Sequence, residues 1–521
     1  MSTAPAAVVA LAMLGAAGAL PAVALAGRRW LAVPLAPLAG AVVAGVAATA
    51  FVAVGGGFMA WFVVLAVAAS GAVAAVWWTR PDRRPPAVDG DHTRWGRAVG
   101  VVGAVGIVAA GAWSLRALAT PTVGFDARAL WLLRSGWFLH SHAQILTDLR
   151  LPRLALNQSA YPPLVSAANA VAWSVTGNHT DRLGAVVIAL LNTCALATAA
   201  FAVVECGRRC TARLIETGAG AARSPLRWAP AVVGVVAGVL LVPVAFGITE
   251  PFMTNGYADP LWSLAALGAV AWGLQLEDGR SHRGIAALLV VVAGLSKDEG
   301  FATAVVLIAV VALRRVATLP ADERRRRWWP PVVVAGVELA VVLAWPALMR
   351  VIHARGVATP FSSPHAMLAR AHATYDGFVP YLHVLELAVP VAVVGGLVLP
   401  RVRRAGRVAN DWWGWAGLAS GLLAVGGALV TGTDDIQAWL VATVHRVTEF
   451  PALAGWWIVA VWAVVASAAP ASAVPVDPDT ASATAPDRGA AGDPTPGTAP
   501  GAAAGPDGRL DPVGAADGTG A

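Results

Sequence analysis

Apolar runs close to the ~20 residues needed to cross a hydrocarbon core as a helix recur from the first residues of this chain to about Pro470. Short polar or Arg-rich stretches separate them. With no water in the bilayer to satisfy backbone groups, such a chain closes its hydrogen bonds within helices, and the expected fold is an all-α polytopic membrane protein. Composition points the same way: 57% of the 521 residues are hydrophobic and only 13% are charged, against roughly 25% charged in an ordinary soluble domain. A soluble protein carrying one anchor is excluded. The formal charge of +7 does not point to nucleic acid, because the basic residues lie in short loops between apolar runs.

About 13 transmembrane helices are expected, over 5–26, 30–54, 57–78, 97–119, 183–204, 229–248, 258–275, 284–296, 300–313, 329–350, 380–400, 412–432 and 451–469. The organisation read from them has three parts: N-terminal spans with a basic cytoplasmic loop (1–96), a transmembrane catalytic region (97–470), and a C-terminal tail (471–521). The tail is Ala/Gly/Pro/Asp/Thr sequence without aromatics, expected to be disordered because it cannot bury enough apolar surface. Residues 1–26 have no basic stretch before them and read as a first span rather than a cleaved signal peptide.

Positive loops face the cytoplasm. Arg28-Arg29, 80–97, 208–227, 280–283, 314–327 and 401–407 are Arg-rich. Placing them all inside makes the spans alternate, with the N-terminus outside and the tail inside. The apolar segment 161–176 is too short for this scheme and reads as re-entrant or interfacial. The loops left outside are 120–182, 249–257, 297–299, 351–379 and 433–450, and they hold nearly all the acids and histidines that do not mark topology.

Among these residues Ser296-Lys297-Asp298-Glu299-Gly300 stands out, three charges within an apolar stretch. Ionisable residues at such depth are costly and mark function by default. Lys297 is the only lysine in a chain that otherwise uses arginine, so its compact ammonium beside two carboxylates suggests a specific contact such as a phosphate oxygen. A plain hairpin whose charges reach water is the alternative. The outer loop from Pro121 contains Phe125-Asp126-Ala127-Arg128, and the aromatic residues up to Leu139 around Arg128 and Arg134 suit a helix lying at the membrane surface. Asp126 would there meet an acceptor hydroxyl as a general base, or else cap the following helix. Further candidates are Glu250 and Asp259, which bracket Phe252 to Tyr257, then Asp434-Asp435, and His445-Arg446 ahead of Glu449. His353, His365, His372 and His383 lack metal-ligand spacing. Cys194, Cys206 and Cys210 lack the partners of a metal set. No cofactor is specified by the sequence, and no ligand spacing indicates a divalent metal.

Taken in order, these residues resemble the GT-C superfamily of membrane glycosyltransferases, which includes protein O-mannosyltransferases and the lipid A aminoarabinose transferase. The match rests on Phe125-Asp126-Ala127 opening a long outer loop and Tyr161-Pro162-Pro163-Leu164 closing it. Gly256-Tyr257-Ala258-Asp259-Pro260, Ser296 to Gly300, and the stretch 436–451 with His445-Arg446 complete it. The resemblance implies sugar transfer from a polyprenyl-phosphate donor to a protein, glycan or lipid acceptor outside the cytoplasm, usually with inversion. Asp126 would be the base, and Lys297 or Arg446 would hold the donor phosphate. Arg128, Tyr161, Glu250, Asp259, Asp298, Glu299 and His445 are the other substrate-binding candidates. Many relatives carry paired acids in the first loop, whereas Asp126 is followed by Ala127. A secondary transporter or another lipid-substrate enzyme would also place Lys, Asp and Glu within the membrane. The preference for Arg over Lys and the Ala/Val richness point to a bacterial plasma membrane.

Overall fold

The computed structural model describes residues 1–26, 29–79, 123–151, 161–216, 228–250, 252–276, 280–354, 364–379, 394, 411–431 and 444–468. The expected spans at 97–119 and 380–400, the basic loops 80–97 and 401–407, Asp434-Asp435, His383 and the tail lie outside these residues.

The described residues are helical, with no strand among them. The helices are α1 (Thr3–Ala26), α2 (Arg29–Val54), α3 (Phe58–Thr79), a π-helical segment Ala127–Leu132 running into Leu133–Trp137 (together α4), α5 (His142–Arg150), α6 (Leu164–Thr176), α7 (Asp181–Glu216) and α8 (Ala229–Thr249). After these come α9 (Asp259–Val270, prolonged by a π turn Ala271–Gln275), α10 (Arg280–Ser296), α11 (Asp298–Ala317), α12 (Ala321–Arg327), α13 (Trp329–Val351), α14 (Pro364–Phe378), α15 (Asp411–Thr431) and α16 (Glu449–Ala468). Among the described residues eight helices are long and apolar enough to cross a membrane, and the chain is a multi-pass membrane protein.

Between apolar helices in lipid the hydrophobic effect contributes little, so association rests on close backbone approach through small residues. A Cβ on Gly40 of α2 would lie 1.9 Å from the Leu14 carbonyl oxygen of α1, and one on Gly18 would lie 2.1 Å from the Ala36 oxygen. Gly207 and Gly234 join α7 to α8 in the same way. The first three helices therefore belong to the bundle, with α2 packing on α6 and α7 as well.

Two expectations of a helix lying at the membrane surface change. Segment 161–176 becomes α6, whose 13 residues span about 20 Å at 1.5 Å each, short of the ~30 Å core. Leu164 to Trp173 are all buried, so α6 is enclosed by protein and does not lie on the bilayer surface. Likewise α4 is not a surface helix: Trp131, Arg134, Trp137 and Phe138 are buried, and Phe125 and Leu133 are the exposed apolar residues. The amphipathic pattern misleads because Arg134, read as polar and outward, points into protein. Its Nη2 donates to the Tyr161 carbonyl, and its guanidinium lies 5.8 Å from the Trp345 ring centroid.

The bundle has two chemically distinct ends. At one, Leu25 meets Gly284, Arg315 Nη2 donates to the Arg283 carbonyl at 3.3 Å, and Arg209 Nη1 donates to the Leu276 carbonyl at 2.8 Å. The described arginines Arg209, Arg283 and Arg315 meet at this end. At the other, His142 Nε2 meets the Val52 carbonyl at 3.1 Å and Arg150 Nε donates to the Ile352 carbonyl at 2.9 Å. The acidic candidates gather there.

Candidate functional site

At the acidic end four chain segments bring their charges together. Asp259, the first residue of α9, is fully buried, on a helix buried along its whole length. Its Oδ1 accepts from Lys297 Nζ at 2.6 Å and from Arg446 Nε at 3.1 Å, while its Oδ2 accepts from Arg446 Nη2 at 2.9 Å. Lys297 Nζ also lies 3.0 Å from Glu299 Oε1, and Arg446 Nη2 lies 2.6 Å from Asp126 Oδ2. The result is an alternating row, Asp126, Arg446, Asp259, Lys297, Glu299. Exposure is 20% for the Asp126 side chain and 12% for Arg446, reaches 0% at Asp259, and stays low at 2% for Lys297 and 8% for Glu299.

Local structure explains each placement. Lys297 is the extended residue, φ −158° and ψ 162°, between α10 and α11, which turns its side chain away from both helices toward Asp259. Glu299 follows in the first turn of α11, and Asp259 sits in the first turn of α9, where the helix dipole favours an acid. Asp126 precedes α4 but makes no side-chain cap hydrogen bond, so its carboxylate serves Arg446 and not the helix. Tyr257 braces this end. Its hydroxyl receives the Asp126 N–H at 3.5 Å, and its ring centroid lies 4.8 Å from the Arg446 guanidinium. Gly124 makes room: a Cβ there would lie 2.0 Å from the Tyr257 ring. Gly256 takes φ +91° to bring the tyrosine round.

Electrostatics follow from this packing. Burial works against charge on Arg446, but Asp259, Asp126 and Glu299 outweigh it and raise its pKa. Burial also opposes charge on Lys297, and Asp259 and Glu299 again prevail, raising the ammonium above its ordinary 10.5. Burial and the Asp126 charge raise the Tyr257 phenol, so it stays a neutral hydroxyl at working pH. In Arg134 burial prevails, lowering its pKa to about 10 despite Asp298 and Tyr161.

Of the ten residues singled out in the sequence, Asp126, Asp259, Lys297, Glu299 and Arg446 form the row. Tyr161 lies beside it, stacked on Trp131 at 5.5 Å, with burial and the nearby Glu299 and Asp298 raising its phenol. Asp298 is exposed between buried neighbours. Three residues do not join. Arg128 pairs with Asp181 at 3.2 Å and is exposed, because the π turn of α4 directs it outward from Asp126. Glu250 is the exposed C-cap of α8. His445 is exposed while Arg446 beside it turns inward. Two contributors are not among those ten. Tyr257 enters the sequence pattern only as part of a motif, and buried Glu449 accepts from Ser263 Oγ at 3.1 Å, one turn below Asp259.

The row has open valences. Arg446 uses Nε and Nη2 on its two carboxylates, and no described residue partners Nη1. Glu299 Oε2 is buried without a hydrogen-bond partner among the described residues. Lys297, by contrast, is already held by two carboxylates. The more accessible end can thus meet an anion at Arg446 Nη1 and a hydroxyl at Asp126, while the deep end holds them in place. No group of three or more His, Cys, Asp or Glu among the described residues is arranged to hold a metal. Compared with known proteins, the chain matches no family model, no curated protein and no solved structure.

Proposed function

We propose that the chain is a GT-C-like glycosyltransferase that moves a sugar from a polyprenyl-phosphate donor to a protein, glycan or lipid hydroxyl on the outer face of a bacterial plasma membrane. The observation that carries this reading is the sharing of Arg446 between Asp126 and Asp259, with one guanidinium nitrogen left over at the accessible end. The donor phosphate binds Arg446 Nη1 as a charge-assisted contact. Asp126 takes the proton from the acceptor hydroxyl, whose oxygen forms the bond to the anomeric carbon. The bond from that carbon to the phosphate oxygen breaks, its electron pair stays on the phosphate, and Arg446 stabilises the charge. A single displacement inverts the anomeric centre. Lys297 is a positioning residue: with Asp259 it fixes the guanidinium. Asp259 and Glu299 lie in the first turns of α9 and α11, whose positive dipole ends favour an anion.

The test is transfer of labelled sugar from a panel of polyprenyl-phosphate sugars by membranes carrying the wild-type chain, Asp126→Asn or Lys297→Arg. Wild type is expected to form product. Loss of the base should lower the rate by roughly 10²–10⁴-fold, and Lys297→Arg should impair donor use because a planar fork replaces a point charge. Equal activity in all three overturns the site assignment. No product from any donor with folded protein shifts the reading to a transporter.

A further inference from the structure

We infer that α12 and the start of α13 form a binding site for anionic phospholipid headgroups at the end of the bundle opposite Asp126. This site stands apart from the proposed reaction. The segment reads Ala321-Asp-Glu-Arg-Arg-Arg-Arg-Trp-Trp-Pro-Pro331, four arginines against two acids, leading straight into a membrane span.

The four arginines divide in use. Arg324 Nη2 donates to the carbonyls of Ala317 and Leu319, at 2.8 and 3.1 Å, and closes the end of α11. Arg327 Nη1 lies 3.4 Å from Glu323 Oε2. Arg325 and Arg326 are exposed and make no ion pair or hydrogen bond with a described residue. Positive topology marking alone needs only that such charges stay in the cytoplasm. The residues just beyond them in the chain indicate an occupant. Trp328 and Trp329 are 51% and 56% exposed, and Val332, Val333, Val334 and Val337 form a bare apolar surface one and two turns further. Charge, exposed tryptophan and exposed valine thus succeed one another along a single segment, the order of headgroup, interface and acyl chain in a lipid leaflet. A soluble acidic partner would cover the arginines and leave the valines bare. A phospholipid covers both, its phosphate taking the paired guanidinium donors that Arg presents as a fork.

The test uses the full chain purified from membranes into nanodiscs of phosphatidylcholine with phosphatidylglycerol, followed by lipid counting in the protein-bound fraction by native mass spectrometry. Wild type is expected to retain phosphatidylglycerol over phosphatidylcholine. Arg325→Gln/Arg326→Gln should lose that preference about fivefold, while Arg325→Lys/Arg326→Lys keeps part of it, as expected of charge with a weaker fork. Both substituted side chains are exposed, and elution as one symmetric peak confirms folding. Undiminished phosphatidylglycerol in the Gln variant overturns the inference, as does a wild-type chain without preference. A change from dimer to monomer in the Gln variant with lipid retention unchanged also overturns it, assigning the surface to a second copy.

Discussion

A carboxylate wholly removed from water persists only where cations and donors replace its hydration. Asp259 has both, in Lys297 and the bidentate edge of Arg446. Removing that charge leaves two buried cations leaning on Glu299 and Asp126 alone, and losing one member of such a pair costs roughly 3–5 kcal/mol. Asp259→Asn should therefore lower the unfolding temperature in detergent by several degrees besides abolishing transfer, whereas Asp126→Asn, at the exposed end, should leave stability near wild type. An unchanged melting curve for Asp259→Asn would show that the row is not an energetic unit. Lys297 adds a pH dependence of known sign. Its pKa is raised in the fold, so its contribution is complete below the ordinary lysine value of 10.5 and declines as pH rises through the higher folded value. Wild type should lose stability above pH 10.5 more steeply than Lys297→Gln. Parallel curves would mean that the fold does not raise the lysine's affinity for its proton.

At the scale of elements, the site depends on how two loops meet. Gly124 lies against the Tyr257 ring and donates its N–H to the Asn255 carbonyl at 2.9 Å. A methyl 2.0 Å from a ring carbon must push Tyr257 or the turn before Asp126 aside, at a cost of roughly 1–3 kcal/mol for overpacking. Gly124→Ala should cut transfer at least tenfold while the chain still inserts, because a misplacement near 1 Å can cost about 10²-fold in rate. Full activity would mean that Tyr257 does not set the Asp126 position. Elements differ in how openly the sequence announces them. Long helices such as α2, α8 and α13 follow directly from hydropathy, since a run that matches the bilayer leaves few other folds. The enclosure of α6 does not, because a 13-residue apolar run reads alike at a surface and in a core. Nor does the helix α14, in a stretch read as outer loop, or the burial of Arg134, since local pattern cannot report a carbonyl and an indole contributed by 161 and 345. Asp126, Lys297 and Arg446 are each visible in the sequence as misplaced charges. Their union through Asp259 is tertiary, and Tyr257 carries no charge to betray it.

For the molecule as a whole, the proposed transfer requires that the charge row and the basic end face opposite sides of the membrane. Arginines 209, 283 and 315 mark one end through their contacts, and the row from Asp126 to Glu299 marks the other. Because α10 and α11 run between these ends, the position of Lys297 at their junction fixes which face the site opens on once the basic end is assigned to the cytoplasm. That assignment can be read with single cysteines, since Cys194, Cys206 and Cys210 all lie on α7 and can be replaced by alanine. Thr147 on α5 is exposed at the acidic end, and Arg326 on α12 is exposed at the basic end. In intact cells a membrane-impermeant maleimide should label Thr147→Cys and spare Arg326→Cys until the membrane is opened. Labelling in the reverse order would place the charge row in the cytoplasm, where the proposed lipid-linked donor on the outer leaflet could not reach it. Labelling of both in intact cells would mean that the two ends do not face opposite compartments, and the alternation of spans would then have to be redrawn.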